Sequence, residues 1–391
     1  MIRVAIPRTL AWAFVAAWLV AGCAASPPFP IQPIEPRPGE FAALSSQRIE
    51  RELGDRILAL DPEHVSADDV AQVLAGAPAP RIMLIHGGVY PVYLAMTSFG
   101  TFLAGMGYPE TRIRDPGNGD WSYSPYAYTP RLAGIAAWQY EQDAMRPMIV
   151  GHSQGGLYVV KVLRELAGVY RSSLAVWNPL TDAAEPRDTI VDPFSGSARP
   201  VIGLVVAYAS ALGAGGWSFI LPNQWDDFPA LRTIPDTVVE FTGFDIEFDP
   251  FAMTFPGTRF ANPYVAAGTA KVRNVALPAD TSHVLAPVTA DLLQDPRLRA
   301  WIESYVPGRA PTPEDPPEAA RGSTIWAADV WHSVKRHWVL ELKRVVRAQR
   351  DLASGRRLEA AGLVNPSRAA GREGPRMTAH ATAAPPGPSR R

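Results

Sequence analysis

Short apolar runs alternate with longer amphipathic segments through the middle of the chain. The mostly apolar runs predict strands at 81–85, 148–150, 201–208 and 237–244, of which 81–85 should be buried on both faces, and 270–277 is also predicted as a strand. The amphipathic segments, in which apolar residues recur at helical spacing, predict helices at 46–60, 67–74, 94–106, 132–145, 157–166, 288–293 and 297–305. Because strands that alternate with helices are typical of a parallel sheet with right-handed crossovers, we expect an α/β fold.

The alternation is less regular in two places. A short strand is predicted at 111–114, and the runs 173–177 and 189–191 could pair as strands within an irregular region at 170–232. Residues 213–225 carry three glycines and two tryptophans among aliphatic side chains, without clear polarity. A long irregular apolar insertion is typical of a lid or pocket wall, and equally of ordinary core beneath an irregular cap. We therefore treat 170–232 as a candidate cap insertion.

The composition is that of a globular protein with a sizeable core. The 391 residues are 47% hydrophobic, which is enough for one large α/β domain or two smaller ones. A formal net charge of −1 argues against nucleic acid or another polyanion as a general partner.

The N-terminus has the features of an export signal. Two arginines precede an apolar run at 9–22, and small residues lead directly into Cys23. This pattern predicts a secretory signal peptide over residues 1–22. The end of the run resembles a bacterial lipobox, which implies that Cys23 is lipidated and becomes the mature N-terminus. Ala24 follows in place of the aspartate of an inner-membrane retention signal, so we expect a lipid anchor in the outer membrane, facing the periplasm.

Cys23 is the only cysteine of the chain, so no intramolecular disulfide can form. A plain cleaved signal with an incidental cysteine is the alternative interpretation. Residues 23–45 are rich in proline and are predicted to form a semi-rigid linker between the anchor and the domain.

The C-terminal region is strongly basic. A proline-rich linker at 307–323 precedes an amphipathic segment at 324–352, and a low-complexity tail at 353–391 is predicted to be disordered. From residue 321 onward there are fourteen Lys and Arg residues against five Asp and Glu residues. A basic helix that carries tryptophans could bind an anionic membrane surface, or it could pack on the acidic surface of its own domain.

A candidate nucleophile lies between a predicted strand and a predicted helix. The strand at 148–150 leads into Gly151-His152-Ser153-Gln154-Gly155, and the helix at 157–166 follows. In this G-x-S-x-G pattern a sharp turn exposes the serine, and glycines two positions away on either side avoid a clash. The alternative is an ordinary glycine-rich turn between a strand and a helix.

Serine requires a base, and the base requires an orienting group. Of seven histidines, only His283 falls in a loop directly after the last predicted strand, so it is the candidate general base. The acid should follow an earlier strand, and Asp245, directly after the strand at 237–244, is the first choice. Asp249 and then Glu247 are the alternatives.

An oxyanion hole is also predicted. One donor is the backbone N–H of Gln154, which follows the nucleophile. The other is expected from the turn His86-Gly87-Gly88 after the strand at 81–85, from the N–H of Gly88 or Val89. A purely structural turn is the alternative.

Together these motifs resemble the α/β-hydrolase superfamily, close to its lipase and esterase branches, over roughly residues 81–305. The resemblance implies a mostly parallel sheet of about eight strands with helices on both faces, neither metal nor organic cofactor, and a hydrolase domain at 46–306. The insertion at 170–232 and the 38-residue gap between Asp245 and His283 depart from the simplest pattern.

These features lead to one functional expectation and two alternatives. We expect a lipase- or esterase-like serine hydrolase that cleaves a carboxylic ester through an acyl-Ser153 intermediate. An acyltransferase with the same triad, or a non-catalytic envelope lipoprotein that keeps the fold, are the alternatives. Expected partners are the ester substrate and the membrane, through Cys23 and by one interpretation through the helix at 324–352.

Overall fold

The computed structural model describes residues 44, 46–214, 230–252, 263–308 and 321–355. The predictions for the signal peptide, for Cys23 and almost all of its linker, for residues 309–320 of the second linker and for the tail from 356 onward lie outside the described residues. The same holds for residues 215–229 of the candidate cap.

The strands of the described chain are β1 (Ile82–Ile85), β2 (Met148–His152), β3 (Trp177–Asn178), β4 (Ala183–Ala184), β5 (Thr189–Val191), β6 (Ala198–Pro200), β7 (Val206–Leu212), β8 (Thr233–Ile234), β9 (Val238–Ile246), β10 (Val265–Ala266) and β11 (Lys271–Leu277). Five of them form the parallel sheet at the core of the molecule, in the order β1-β2-β7-β9-β11. The inner strands are almost wholly buried, as their continuous apolar sequences predict.

Seven α-helices accompany the sheet in the described residues. They are α1 (Arg51–Ala59), α2 (Ala67–Gln72), α3 (Tyr90–Gly105), α4 (Thr129–Asp143), α5 (Gln154–Leu166), α6 (Pro296–Ser304) and α7 (Arg321–Ala353). Side chains of β7 show that helices cover both faces. Tyr208 stacks on His337 of α7. Ala211 is three positions later in the strand, so it lies on the opposite face, where it contacts Gly156 of α5.

The expected α/β class is confirmed, but the described residues form a main sheet of five strands and not about eight. The segment at 111–114 was predicted as a strand and instead contains the 3₁₀ turn Glu110–Arg112. The expected pairing of 173–177 with 189–191 is also wrong. Trp177–Asn178 pairs with Ala183–Ala184, and Thr189–Val191 pairs with Ala198–Pro200.

Short-range turns explain these small antiparallel pairs. The Asp192 carboxylate accepts hydrogen bonds from the N–H groups of Phe194 and Ser195, which closes a tight turn between β5 and β6. The predicted cap at 170–232 is therefore not one continuous insertion. It contains two short hairpins followed by β7, a central strand whose start lies five residues beyond the predicted one.

The basic C-terminal segment forms α7, which is part of the core. Trp326, Trp331 and Trp338 are fully buried, and the Trp326 ring lies 4.3 Å from Phe99 of α3. Its cationic side chains pair with acids of the domain, as Arg336 does with Glu240 at 2.8 Å. Of the two interpretations of this segment, packing against the domain's own acidic groups is the one found. In the described part of the chain, no helix is both long and apolar enough to cross a membrane.

The sheet brings the functional loops to one edge. Ile85 of β1 lies beside Gly151 of β2, and Leu212 of β7 lies beside Phe244 of β9. Because the strands are parallel and in near register, the segments that leave their carboxyl ends meet there.

Candidate active site

Ser153 occupies the turn between β2 and α5 in a strained backbone conformation. Its φ of 56° and ψ of −125° lie outside the regions that L-residues adopt readily. Two backbone hydrogen bonds hold it: its N–H donates to the Leu212 carbonyl at 2.8 Å, and its carbonyl accepts from Gly156 N–H at 3.0 Å. Strain of this kind costs about 1–3 kcal/mol and persists only where the surroundings enforce it. The turn therefore has the sharp geometry that the motif predicts.

Gly151 and Gly155 are required by close backbone approach. A Cβ at Gly151 would overlap the carbonyl group of Gly155, and a Cβ at Gly155 would overlap the carbonyl of Ile85. Since both carbonyls belong to the backbone, neither can move aside cheaply. The two glycines thus allow β1, β2 and the start of α5 to meet around the serine.

Three side chains form a hydrogen-bonded relay. The Ser153 hydroxyl donates to His283 Nε2 at 2.9 Å, and His283 Nδ1 donates to Asp249 Oδ2 at 2.5 Å. His283 is 8% exposed and Asp249 only 1%. Carboxylate, imidazole and hydroxyl in this order are the arrangement that activates a serine, because the carboxylate fixes the tautomer that leaves Nε2 free to accept a proton.

The acid of the relay is Asp249, the second choice, and not Asp245. Strand β9 continues to Ile246, two residues beyond its predicted end, so Asp245 lies within the sheet opposite Ala276. Glu247 is exposed just past the strand. Asp249 is three residues past the strand end, where its Oδ1 accepts from the N–H groups of Phe251 and Ala252 at 2.9 and 3.0 Å. These bonds aim Oδ2 at the histidine.

The turn after β1 lies directly on the nucleophile. A Cβ at Gly87 would come within 3.3 Å of Ser153 Oγ, and a Cβ at Gly88 would overlap the Gln154 side chain. Helices α3 and α5 begin next to this turn and next to Ser153, so both direct unpaired N–H groups and the positive ends of their dipoles toward the same space. This is an environment in which a negatively charged oxygen is stabilised.

Two side chains fix the peptide planes of that turn. His86 Nδ1 donates to the Gly87 carbonyl at 2.7 Å, and the Tyr126 hydroxyl donates to the Gly88 carbonyl at 2.8 Å. In a trans peptide the following N–H points opposite to the carbonyl, so these bonds orient the N–H groups of Gly88 and Val89 respectively. Burial lowers the pKa of His86, which favours the neutral ring.

A second histidine lies against the first. His152 is fully buried, its Nε2 is 2.7 Å from the carbonyl oxygen of His283, and the two rings are 5.0 Å apart. Burial, and secondarily the proximity of His283, lowers the pKa of His152 to about 3. His152 is therefore a neutral hydrogen-bond donor near pH 7.

Large apolar side chains stand exposed around the site. Of the eleven such side chains in the described residues, eight either lie within six positions of the turn after β1, of Asp249 or of His283 along the chain or, as Tyr126 does, bond to that turn. We call this group the apolar rim; its members are Val89, Tyr90, Leu94, Tyr126, Phe248, Phe251, Leu285 and Val288. Phe251 is 60% exposed, and its ring stacks on His283 at 5.3 Å. Concentrated apolar exposure of this kind marks a binding surface.

The site therefore brings together the predicted Ser153, His283 and turn residues, and it replaces Asp245 by Asp249. It also includes two side chains that the sequence did not indicate. Tyr126 lies in a long loop with no pattern that marks it, whereas His152 has one available signal, since it is a polar residue at the end of a buried strand. Within the described ranges, no group of three or more His, Cys, Asp or Glu side chains is arranged to hold a metal ion.

The chain matches no model of a known protein family, and no curated protein matches it in sequence. Its function must therefore be inferred from the geometry of the site.

Proposed function

We propose that the protein is a serine hydrolase of the α/β-hydrolase type that cleaves a carboxylic ester. The observation that carries the proposal is the relay from Ser153 through His283 to the buried Asp249, with the serine on a strained turn. Burial and glycine packing would maintain this geometry at some cost in stability, which supports a catalytic purpose.

The relay supports a two-step acyl transfer. Ser153 Oγ attacks the ester carbonyl carbon as its proton passes to His283 Nε2, and Asp249 stabilises the resulting imidazolium. Collapse of the tetrahedral intermediate breaks the bond to the alcohol oxygen, which leaves with the proton from His283. Water then attacks the acyl-serine with His283 again as base, and the free acid is released.

The oxyanion of each tetrahedral intermediate would be held by backbone donors. Gln154 N–H opens α5 directly after the nucleophile, and Gly88 and Val89 N–H lie in the turn packed on Ser153. A single donor of this kind contributes on the order of 10²–10³ in rate where it has been measured in other enzymes.

The apolar rim favours an ester with an apolar acyl or alcohol group. Its side chains are exposed, and Phe251 covers one face of the catalytic histidine ring. Each buried CH₂ contributes about 0.8 kcal/mol, so longer acyl chains should raise kcat/KM stepwise until the surface is filled. A panel of nitrophenyl esters from acetate to decanoate measures this. A rate that is flat or falls from acetate onward would contradict the apolar preference while leaving the hydrolase proposal intact.

We also propose that the domain is anchored in the bacterial outer membrane through a lipid on Cys23, facing the periplasm. This rests on the sequence pattern of residues 1–23 alone. Cys23→Ser should abolish lipid labelling and release the protein from the membrane fraction. Normal membrane fractionation of that variant would refute the anchor.

A fluorophosphonate probe tests the central proposal. It should label the folded wild-type protein covalently, and it should not label Ser153→Ala, whose circular dichroism and melting temperature serve as the control for folding. Failure of the folded wild type to be labelled would overturn the proposal. If an added alcohol yields mainly ester product in place of free acid, the same site acts as an acyltransferase.

A further inference from the structure

The residue before the nucleophile contacts the loop that carries the base. His152 is the last residue of β2, and its ring reaches the backbone of His283, which is 131 positions later in the chain. Beside the hydrogen bond of the Ser153 hydroxyl, the contact is a second link between the nucleophile turn and the loop that carries the base. It is the only hydrogen bond of the His152 ring in the described structure, because Nδ1 is buried without a partner.

The chemistry of this contact fixes the state of the ring. A carbonyl oxygen can only accept, so His152 Nε2 must carry the proton. A second proton on Nδ1 would be a buried, unpaired charged donor, which is strongly unfavourable. His86 and His283 are the titratable groups that lower the His152 pKa further by proximity, so no neighbour favours the charged ring except the carbonyl itself.

The loop after β11 needs such an anchor. It leaves an edge strand of the sheet, and loops without regular structure move more than the elements they join. The His283 ring itself is held by the Asp249 carboxylate, by Phe251, and by Gly213, where a Cβ would lie 3.1 Å from the ring. His152 differs from these contacts because it holds the backbone of His283.

We propose that His152 is a positioning residue that sets the distance between the base and the nucleophile. His152 is adjacent to Ser153 in the chain and is bonded to the His283 main chain. The rigid end of β2 therefore fixes the distance between Ser153 Oγ and His283 Nε2. A misplacement of about 1 Å at a catalytic group can cost on the order of 10²-fold in rate. The inference rests on the proposed hydrolase function.

Its neutrality has a second consequence for the reaction. His283 becomes an imidazolium during each acyl transfer step, and its ring centroid is 5.0 Å from that of His152. A charged neighbour at this distance would oppose proton uptake by the base. A neutral donor provides the anchor without that repulsion.

A pair of substitutions tests the proposal. His152→Gln retains an N–H donor at a comparable reach, whereas His152→Leu fills the space without one. We expect His152→Leu to lower kcat on a nitrophenyl ester about 10- to 100-fold with KM nearly unchanged, because the base is displaced but the binding surface is not. His152→Gln should recover at least a third of the wild-type kcat.

His337→Leu is the matched control. It removes a different buried histidine, one that lies 3.4 Å from Glu240 beneath the far face of the sheet. It should lower the melting temperature but leave kcat per folded molecule unchanged. The kcat of every variant is referred to the folded fraction, measured by circular dichroism.

Three outcomes would overturn the positioning role: near-normal kcat in His152→Leu, equal losses in the Leu and Gln variants, or an equal loss in His337→Leu. The rate of fluorophosphonate labelling across pH separates this failure from failure of the hydrolase proposal. Labelling of the wild type at Ser153 with no sensitivity to residue 152 would reject only the positioning role. If His152→Leu does not fold, a His152→Gln variant with kcat below a tenth of the wild type would reject it.

Discussion

The α7 side of the molecule and the carboxyl edge of the sheet differ in how they bury or expose polar and apolar groups. On the α7 side, three tryptophans are fully buried, and cations pair with carboxylates, as in the contact of Arg146 with the completely buried Glu341 at 2.6 Å. At the carboxyl edge of the sheet, apolar side chains remain exposed and the serine is held in a strained conformation. The second side therefore gives up stability that burial of its apolar groups and a relaxed backbone would provide.

This difference helps to locate the functional site when sequence comparisons find no match. Surfaces that are merely structural tend to cover their apolar groups and pair their charges. An edge that keeps apolar groups exposed beside a relay of hydroxyl, imidazole and carboxylate is arranged for a ligand. Four predictions test the contrast, from the largest expected effect to the smallest.

The largest effect should come from Asp249→Asn. An amide at this position reverses the hydrogen-bond preference at His283 Nδ1 and favours the wrong tautomer, so kcat should fall by roughly 10³–10⁴. Asp245→Asn is the matched control, four residues earlier within β9, and should retain activity within about threefold. Steady-state assays on one ester decide between them. If Asp245→Asn is the more severe, the acid has been misassigned.

Trp338→Ala should have the largest effect on stability. The indole is fully buried, its N–H donates to the Pro78 carbonyl at 2.8 Å, and its ring packs on Tyr108. Truncation of such a side chain costs about 3–5 kcal/mol in free energy of unfolding, measurable by urea denaturation. Activity per folded molecule should not change. A loss of kcat without a loss of stability would contradict the separation of the two sides.

Acid should destabilise both sides, in different pH windows. The pKa of His152 falls from its ordinary value near 6.5 to about 3 on folding, so the unfolded chain binds a proton that the folded chain does not, and stability falls as pH drops below about 6.5. Interaction with Arg146 and Arg344 outweighs burial and lowers the pKa of Glu341 to about 2, so its contribution is present above about 4.5 and is lost between there and 2. Urea midpoints against pH should be less steep between pH 6.5 and 4.5 in His152→Gln, and below 4.5 in Glu341→Gln. If the wild type and the two variants show identical urea midpoints at every pH, His152 and Glu341 are not the source of the acid destabilisation.

The smallest effect should come from Tyr126→Phe. Loss of the bond to the Gly88 carbonyl frees the peptide that orients the Val89 N–H, at a cost of about 1 kcal/mol or three- to tenfold in kcat. Tyr128→Phe is the control, since its hydroxyl accepts from Arg171 and does not touch the turn. Stability should be nearly unaffected in both. Equal activity in the two variants would exclude a role for Tyr126 in orienting the Val89 N–H of the turn after β1.

The sequence predicted those parts of the site that depend on chain order and local pattern. Ser153 and His283 each follow a predicted strand, and the glycines at 151 and 155 have a purely local reason. Asp249 was ranked second because strand ends cannot be read to within two residues, and β9 continues through Asp245. Tyr126 could not be found because its contact is with a residue far along the chain, and the polar character of His152 at a buried strand end does not identify its distant partner, His283.

For the fold as well, the sequence predicted the individual elements better than their number and their contacts. All five strands of the main sheet correspond to predicted strands, although the predicted start of β7 is five residues early. The larger strand number came from family resemblance and not from the pattern of residues. The environment of α7 was left open because a basic amphipathic stripe suits a membrane and an acidic protein surface equally. Only the packing of Trp326 on Phe99 and the pairing of Arg336 with Glu240 decide it.

The position of α7 in the chain has a consequence for biosynthesis. This helix is the last described element, yet it packs against α1 near the other end, where Arg350 bonds Asp55 at 2.7 Å. During synthesis from the N-terminus, the sheet face over Tyr208 therefore stays uncovered until α7 has emerged. Folding of the domain must then be completed after translation of residue 350, and a nascent chain that is released early would present this face to chaperones and proteases.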